Sequence, residues 1–515
     1  MKTHLSFSLL WIIGCLFFQL IPLSMKAQGI VISPNAYVTN PATASVRLGG
    51  SDTLIIQSTA AGTGSLINNG TFVGPAKIER YMTGAKWHIV SSPVTGQSFS
   101  SFITNSANNI PWLSGTNPVQ YGIMEYDEVN DKWSTPFTAS KTGNFVATQG
   151  YGVRNRVDGK ITFKGNIMTD NQTVTLTRGK YGWNCIGNPF TSPILVKGLG
   201  GILDDNLVNL DQNYAGIYIW DEQPNYNNSG LKKDYRVHCN TPYTFPFEIQ
   251  ENSGTYVAVG QAFFMKSKSG GGNFTFKQAM KTHQSGVAFR STQTGWPALR
   301  LQVSGNSLVS TTVIAFNENM TTGLDPSYDV GMLKANPSFA LYSRLVETDG
   351  LDYAVQAIPD SLEAAVIPIG VDCAVGATLT FKLEKAFFPE ECDVTLEDRL
   401  RNQFYEFEEN AAYSAEVASN TKGVGRFYLH ISNLRTPIFQ HQKANFLVYA
   451  HSGRFVVKGN LEEGTAISIC TLDGRVVGQY RPDNSRIFQS KVGLKGVYII
   501  KIANKSNQYT CKIAL

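Results

Sequence analysis

A chain of 515 residues in which 42% are hydrophobic and 11% aromatic can build more than one packed core. That excludes intrinsic disorder and exceeds what one ordinary domain holds. Only 16% of residues are charged, the net charge is +5, and the cations are scattered singly, so nucleic acid is excluded as a partner.

The chain opens "MKTHLSFSLLWIIGCLFFQLIPLSMKAQG". Lys2, an apolar run from Leu5 to Leu23 and a cleavage site at Met25-Lys26-Ala27 read as a signal peptide over residues 1–27. The alternatives are a membrane span, weakened by Pro22 and Gln19, and a lipoprotein cleavage box in "IIGC" ending at Cys15. The chain is therefore expected to be exported.

Residues 28–75 form a polar, β-rich lead-in, whose alternation and Gly-Asn punctuation predict two or three strands. Residues 76–285 are the most aromatic region and read as a β-sandwich, jelly-roll-like, of short alternating runs bounded by Gly, Asn, Pro or Asp. Within it "VDGK" predicts a tight hairpin, because Asp-Gly accepts the positive φ of a primed turn. Residues 286–434 read as a second sandwich, with "LEDRLRNQFYEF" either a helical turn or a turn into a strand. Residues 435–445 are a linker. The last segment, 446–515, contains "GRFVVKG", the hairpin signal "LDGR", and a final strand alternating to the terminus. The fold class is thus all-β: tandem sandwiches ending in a small, immunoglobulin-like one.

Charge follows the same division. From Thr436 onward eleven Lys and Arg face four acids, a net +7, while residues 28–435 carry −4. Six cysteines follow Cys15. Cys373 and Cys392 flank a strand-like run and are the best candidates for a disulfide, their redox state being open. Alternation places Ile467 and Ile469 toward the core and Cys470 outward, away from Cys511.

The candidates for chemistry are few. No HExxH, GxSxG, phosphate-binding or dinucleotide-binding motif occurs, and no CxxC. His238 and Cys239 are strand neighbours pointing to opposite faces, a poor base–nucleophile pair. His88 reads as a half-buried structural histidine. Asp127, Glu128 and Asp131, or Asp204 and Asp205, are loop acids that lack the ordered spacing of a calcium site. No cofactor and no catalytic residue are assigned, and an enzyme is not expected, a glycoside hydrolase being the remaining enzymatic option. Aromatics carry the one positive hint. Trp87, Trp112, Trp133, Trp183 and Trp220 fall in the first sandwich; Trp87 and Trp183 read as core anchors, and Trp220 with Tyr226 as the exposed pair for ligand contact.

The ending, "GRFVVKG…ICTLDGRVV…LKGVYIIKIAN…CKIAL", resembles the C-terminal sorting domain of proteins exported by the type IX secretion system. Gly453, Asp473, Gly474, Arg475, Gly496, Tyr498 and Lys512 are the matching positions, over about Phe446 to Leu515. Cys470 and Cys511 depart from the pattern. The resemblance implies a seven-stranded sandwich recognised by an outer-membrane translocon, cut by a sorting protease, with the passenger released or attached to lipopolysaccharide, and so an extracellular or outer-membrane-surface location after transit of the periplasm. "KWHIVSSPV" with "YGWNCIGNPFTSPI" is similar to a segment of passengers of such bacteria, and "DPSYDVGMLKANPSFALYS" with "LEDRL" and "GRFYLHIS" resembles the sandwich that precedes such sorting domains. Asp52-Thr53-Leu54 in "SDTL" and Asp360-Ser361-Leu362 in "PDSL" resemble the O-glycosylation motif of the same group. The reading is a non-enzymatic surface protein for adhesion or matrix binding, with carbohydrate binding as the alternative and polysaccharide as a further partner.

Overall fold

The computed structural model describes residues 29–432, apart from 199, 221–234, 244–255, 284–294, 335, 348, 363, 388–391 and 408–411. It also describes 446–514, apart from 452–453, 460, 462–463, 472–474, 483–486, 491–496 and 504–507. The expected signal peptide lies outside these residues. The chain divides into two compact units, Met1–Ser432 and Asn433–Leu515. Both are all-β, with helix among the described residues limited to short pieces such as Phe99–Thr104 and Ile202–Asn206.

The first unit begins with two stacked coils of parallel strands. Ile30–Ile32 pairs parallel with Leu54–Ile56, Tyr37–Asn40 with Ser65–Asn68, and Ser45–Arg47 with Thr71–Val73. Each pair belongs to a different sheet, so the coils have three sides. The lead-in is thus a short solenoid, where sequence alternation suggested two or three strands. Its corners stack closely: a Cβ on Gly70 would lie 2.2 Å from the carbonyl oxygen of Ala44, which only glycine permits. At the same corner the buried Asn40 Nδ2 donates to Asn68 Oδ1 at 2.6 Å, an amide ladder between coils.

The solenoid runs on into the next sheet. Leu54–Ile56 pairs parallel with Ala76–Met82, which pairs antiparallel with Gly159–Ile167. Ile32, Leu54, Ile56 and Leu66 share one core with Phe99, Phe102, Phe145 and Phe163. "VDGK" does not close a hairpin. Tyr151–Arg154 pairs with Trp87–Val90 and Gly159–Ile167 with Ala76–Met82, so the turn carries the chain from one sheet to another. Asp158 Oδ1 accepts from Gly84 N at 2.7 Å across that crossing.

Residues 298–432 build an eleven-stranded sheet whose path ends on Gln403–Glu406 at one side and Ala412–Glu416 at the other. The sheet curls nearly closed: Tyr413 Oη donates to Asp398 Oδ2 at 3.0 Å, and the rings of Phe381 and Phe427 lie 4.8 Å apart. "LEDRLRNQFYEF" is a hairpin, Val394–Asp398 with Gln403–Glu406. The expected segments 76–285 and 286–434 meet in one core, where Trp183, Tyr218 and Phe264 pack with Ala298, Val313 and Val355. Cys373 and Cys392 are both buried, and no disulfide joins them.

The second unit holds a three-stranded sheet, Phe446–His451, Arg454–Gly459 and Ile487–Gln489. A four-stranded sheet of Val476–Tyr480, Ala466–Cys470, Val497–Ala503 and Gln508–Ala514 accompanies it. Phe455, Val457, Ile467, Ile469, Ile500 and Ile502 form its core. Cys470 is buried instead of facing outward, because a bulge between Ile469 and Cys470 breaks the alternation.

Candidate ligand-binding surface

The motif residues of the ending separate into those the structure describes and those it does not. Gly453, Asp473, Gly474 and Gly496 lie outside the described residues. Arg475 is exposed in the connection that pairs Ala466–Cys470 with Val476–Tyr480, and its carbonyl accepts from Thr471 N at 2.9 Å, so "LDGR" does join a hairpin. Tyr498 is half-buried against the core, and Lys512 is paired in register with Ile499.

Two motif segments ahead of the ending are framework. Asp398 of "LEDRL" is fully buried and takes both Nε and Nη2 of Arg426, beside "GRFYLHIS", at 3.0 and 2.8 Å. His430 Nε2 and Glu397 Oε2 lie 2.8 Å apart on the same strand pair. In "MLKANPSFALYS", Lys334 bridges Asp372 at 2.6 Å and Asp352 at 2.8 Å, with the Tyr342 hydroxyl donating to Asp372 at 2.9 Å.

The loop acids have structural partners. Glu128 is buried and accepts from the backbone N–H groups of Gly179, Lys180 and Gly182 at 2.7, 3.0 and 2.8 Å. Burial pulls its pKa up, and these three donors outweigh it, so the carboxyl sits below its ordinary value. Asp127 takes both the backbone and side-chain N–H of Asn130, and Asp131 accepts from the Tyr126 hydroxyl. Asp204 accepts from Asn240 at 3.0 Å, and Asp205 pairs with Lys277 at 3.0 Å. Among the described residues no group of three or more His, Cys, Asp or Glu is placed to hold a metal ion.

His238 and Cys239 are both buried. Burial, with the charges of Arg236 and Lys197, lowers the imidazole to a pKa of about 3, while burial raises the thiol. A neutral imidazole beside a protonated thiol on a strand is packing, not an activated pair. His88 is half-buried with its Nε2 2.8 Å from the carbonyl oxygen of Thr83.

The aromatic residues sort differently from expectation. Trp183 is buried edge-on to Tyr218, ring centroids 4.9 Å apart. Trp220 is half-buried and packs edge-on against Tyr235 at 5.2 Å, itself 5.8 Å from Phe264. Tyr226 lies outside the described residues. Beside Tyr235 a cavity of about 70 Å³ is lined by Arg236, Tyr243, Arg300 and Met332. Trp220 does not line that cavity and is half-buried against Tyr235.

The exposed tryptophan is Trp112, 54% accessible, on the two-stranded hairpin Trp112–Leu113 with Gln120–Tyr121. The Arg156 guanidinium lies 3.9 Å from its ring centroid. Leu113 and Val157 beside it are exposed too. Trp87 and Arg154 face each other across the neighbouring strand pair, and Arg154 Nη2 donates to Ala85 O at 3.2 Å. Indole and guanidinium thus alternate at one corner of the unit. The signal in sequence was Trp112 in "NNIPWLSGTNP", a stretch as polar and turn-rich as the one around Trp220.

The chain belongs to the family described as "Domain of unknown function (DUF8693)", whose model matches residues 26–430. The match ends two residues before the boundary of the first compact unit and leaves the second outside it. No curated protein matches. A solved structure described as "Biofilm associated protein - BSP domain" aligns with 85% of this chain and 92% of its own at 10% identity. Its TM-score of 0.12 is below that of a shared fold.

Proposed function

We propose that this is a non-enzymatic secreted or cell-surface protein, exported through a type IX secretion system by residues 433–515, with the DUF8693 region serving adhesion or matrix binding. The carrying observation is that the motif-bearing ending forms a compact unit of its own, with seven strands in two sheets and a separate core. A segment read by a translocon and cut from its passenger has to fold without the passenger's core, and a core of its own supports that reading. Its partners on this reading are the translocon and the sorting protease, then surface lipopolysaccharide or polysaccharide. Deleting residues 433–515 is expected to leave the remainder in the periplasm, followed by fractionation and surface labelling. The truncated chain at the cell surface would end the export reading.

A second reading, carbohydrate binding, is favoured by Trp112. An exposed indole offers an apolar face for a sugar ring, and Arg156 and Arg154 beside it suit an acidic glycan. Affinity electrophoresis of residues 28–432 against a polysaccharide panel tests it. Retardation by an acidic glycan that Trp112→Ala abolishes is expected, and free migration through every glycan rules sugar binding out.

A further inference from the structure

The hairpin that carries Trp112 ends in a protruding tip. From Trp112 to Val119 every residue except Thr116 is exposed, and a Cβ on Gly115 would meet nothing within 4 Å. Trp112, Leu113 and Val119 are 54%, 47% and 44% exposed, and Val157, in the neighbouring turn, is 51% exposed. Backbone hydrogen bonds fix the two turns side by side: Arg156 N donates to Asn109 O at 2.9 Å and Arg154 N to Gly122 O at 2.8 Å. Thr116 Oγ1 donates to Leu113 O at 2.9 Å and accepts from Gln120 N at 3.1 Å, so the tip satisfies polar groups of its own backbone. Three cations flank these apolar side chains: Arg156 on the indole, Arg154, and the exposed Lys86 in the turn before Trp87. Asp158 is the one acid in residues 84–87, 109–122 and 154–159, and its carboxylate accepts from Gly84 N.

We infer that this corner docks on an anionic lipid surface, with the apolar side chains in the boundary between headgroups and acyl chains and the cations on the phosphates. One exposed apolar residue is ordinary, whereas four on a single protruding corner call for a partner. A protrusion has no pocket to receive a partner's side chain, but it can enter a soft interface. Tryptophan suits that boundary, its ring apolar and its N–H polar. Arginine and lysine bring their charge to headgroups while their stems lie along apolar surface. Hydrogen bonds satisfied within the tip lower the cost of taking its backbone out of water. The inference goes beyond the glycan reading of the same corner, and the aliphatic side chains separate the two. A sugar ring stacks on an indole face and takes hydrogen bonds, whereas Leu113, Val119 and Val157 gain only by leaving water.

The test is flotation of the full chain without its expected signal peptide, residues 28–515, with vesicles of phosphatidylcholine and phosphatidylglycerol, against phosphatidylcholine alone. The chain is expected to float with the anionic vesicles, to stay largely behind with the neutral ones, and to be released as salt screens the charges. Arg156→Gln should weaken partitioning about fivefold, the share of one cation near such a surface. Leu113→Asp should weaken it about tenfold, with the melting temperature unchanged because that side chain is already exposed. The basic ending is present in every variant and acts as an internal control. If it alone held the vesicles, both variants would float like the wild type. That result, equal flotation with neutral vesicles, or no flotation at all overturns the inference. Retention by an acidic polysaccharide without flotation does so too, and leaves the glycan reading standing.

Discussion

The N-terminal coils and the eleven-stranded sheet bury polar groups in opposite ways within one compact unit. The coils stack parallel strands and tie their corner with neutral amides: Asn40 Nδ2 to Asn68 Oδ1, and Asn68 Nδ2 to the carbonyl of Gly70 at 2.9 Å. The sheet, antiparallel except where Leu308–Phe316 meets Tyr353–Ile358, buries charge, with Asp398 held by Arg426 and Asp372 by Lys334. An amide ladder needs only a matching residue at the same corner of the next coil. A buried carboxylate needs a cation from a strand elsewhere in the fold, so it fixes which strands meet. The coils should thus be the cheaper region to damage.

Asp398→Ala has the largest expected effect. It leaves the Arg426 guanidinium buried without its carboxylate and removes the acceptor of the Tyr413 hydroxyl that links the two ends of the curled sheet. Loss of one member of a buried pair costs about 3–5 kcal/mol, read as a shift of the urea midpoint of residues 28–432. Asn68→Ala should cost less, about 1–3 kcal/mol, the desolvation of an unpartnered buried amide. Because Asn40 keeps a second acceptor, the carbonyl of Thr71 at 3.3 Å, the lower end of that range is expected. Equal losses in the two variants would erase the distinction between neutral and ionic burial.

The two regions also differ in how far their sequences betray them. In "FYLHIS" the buried residues are Phe427, Leu429 and Ile431, and in "VTLED" they are Val394, Leu396 and Asp398. Period-two alternation announces both strands. The acid in the apolar phase of the second is the one mark of its buried pair, and its partner Arg426 cannot be named without the pairing of the two strands. In the ending, Phe455 and Val457, Ile467 and Ile469, and Ile500 and Ile502 follow the pleat, and "LDGR" joins neighbours in sequence. Cys470 escapes because a bulge is a change of register, not of composition.

The coils are illegible for a different reason. Gly and Asn mark their turns, but turn residues do not say whether the next strand returns beside the last one or lies one coil above it. The available cue was Asn recurring at positions 40 and 68, each followed by a Thr and a Val within six residues. "VDGK" fails likewise, since a tight turn fixes chain reversal and not the sheet the chain enters. As for the candidate surface, Trp220 and Trp112 sit in equally polar surroundings, and only the pairing of Trp220 with Tyr235 on the next strand explains why the first is half-buried and the second exposed.

The sheet should also carry part of the pH dependence of stability. Burial works to raise the Asp398 pKa, but the ion pair with Arg426 and the Tyr413 hydroxyl prevail and hold it below the ordinary carboxylate value. Its contribution is present above the unfolded carboxylate pKa of about 4 and fades as pH falls through the lower folded value. Asp329 has the opposite sign. It is fully buried, accepts from Ala357 N at 2.7 Å and Asp325 N at 2.6 Å, and has Asp325 and Asp349 as charged neighbours. Burial foremost, then those charges, raise it to about 7. Between pH about 4 and 7 the folded protein therefore keeps a proton that the unfolded chain gives up, so this residue makes stability fall as pH rises through that window. Below pH about 6.5 the buried His238 imidazole, held at about 3 in the fold, works the other way and makes stability fall as pH falls. In thermal melts of residues 28–432 the Asp329 contribution is therefore read as a difference between variant and wild type. Asp329→Asn, which cannot ionise, should gain on the wild type as pH rises from about 4 to about 7. Asn68→Ala should lower the whole curve without changing its shape. An Asp329→Asn curve parallel to the wild type across that window would mean that another group titrates there.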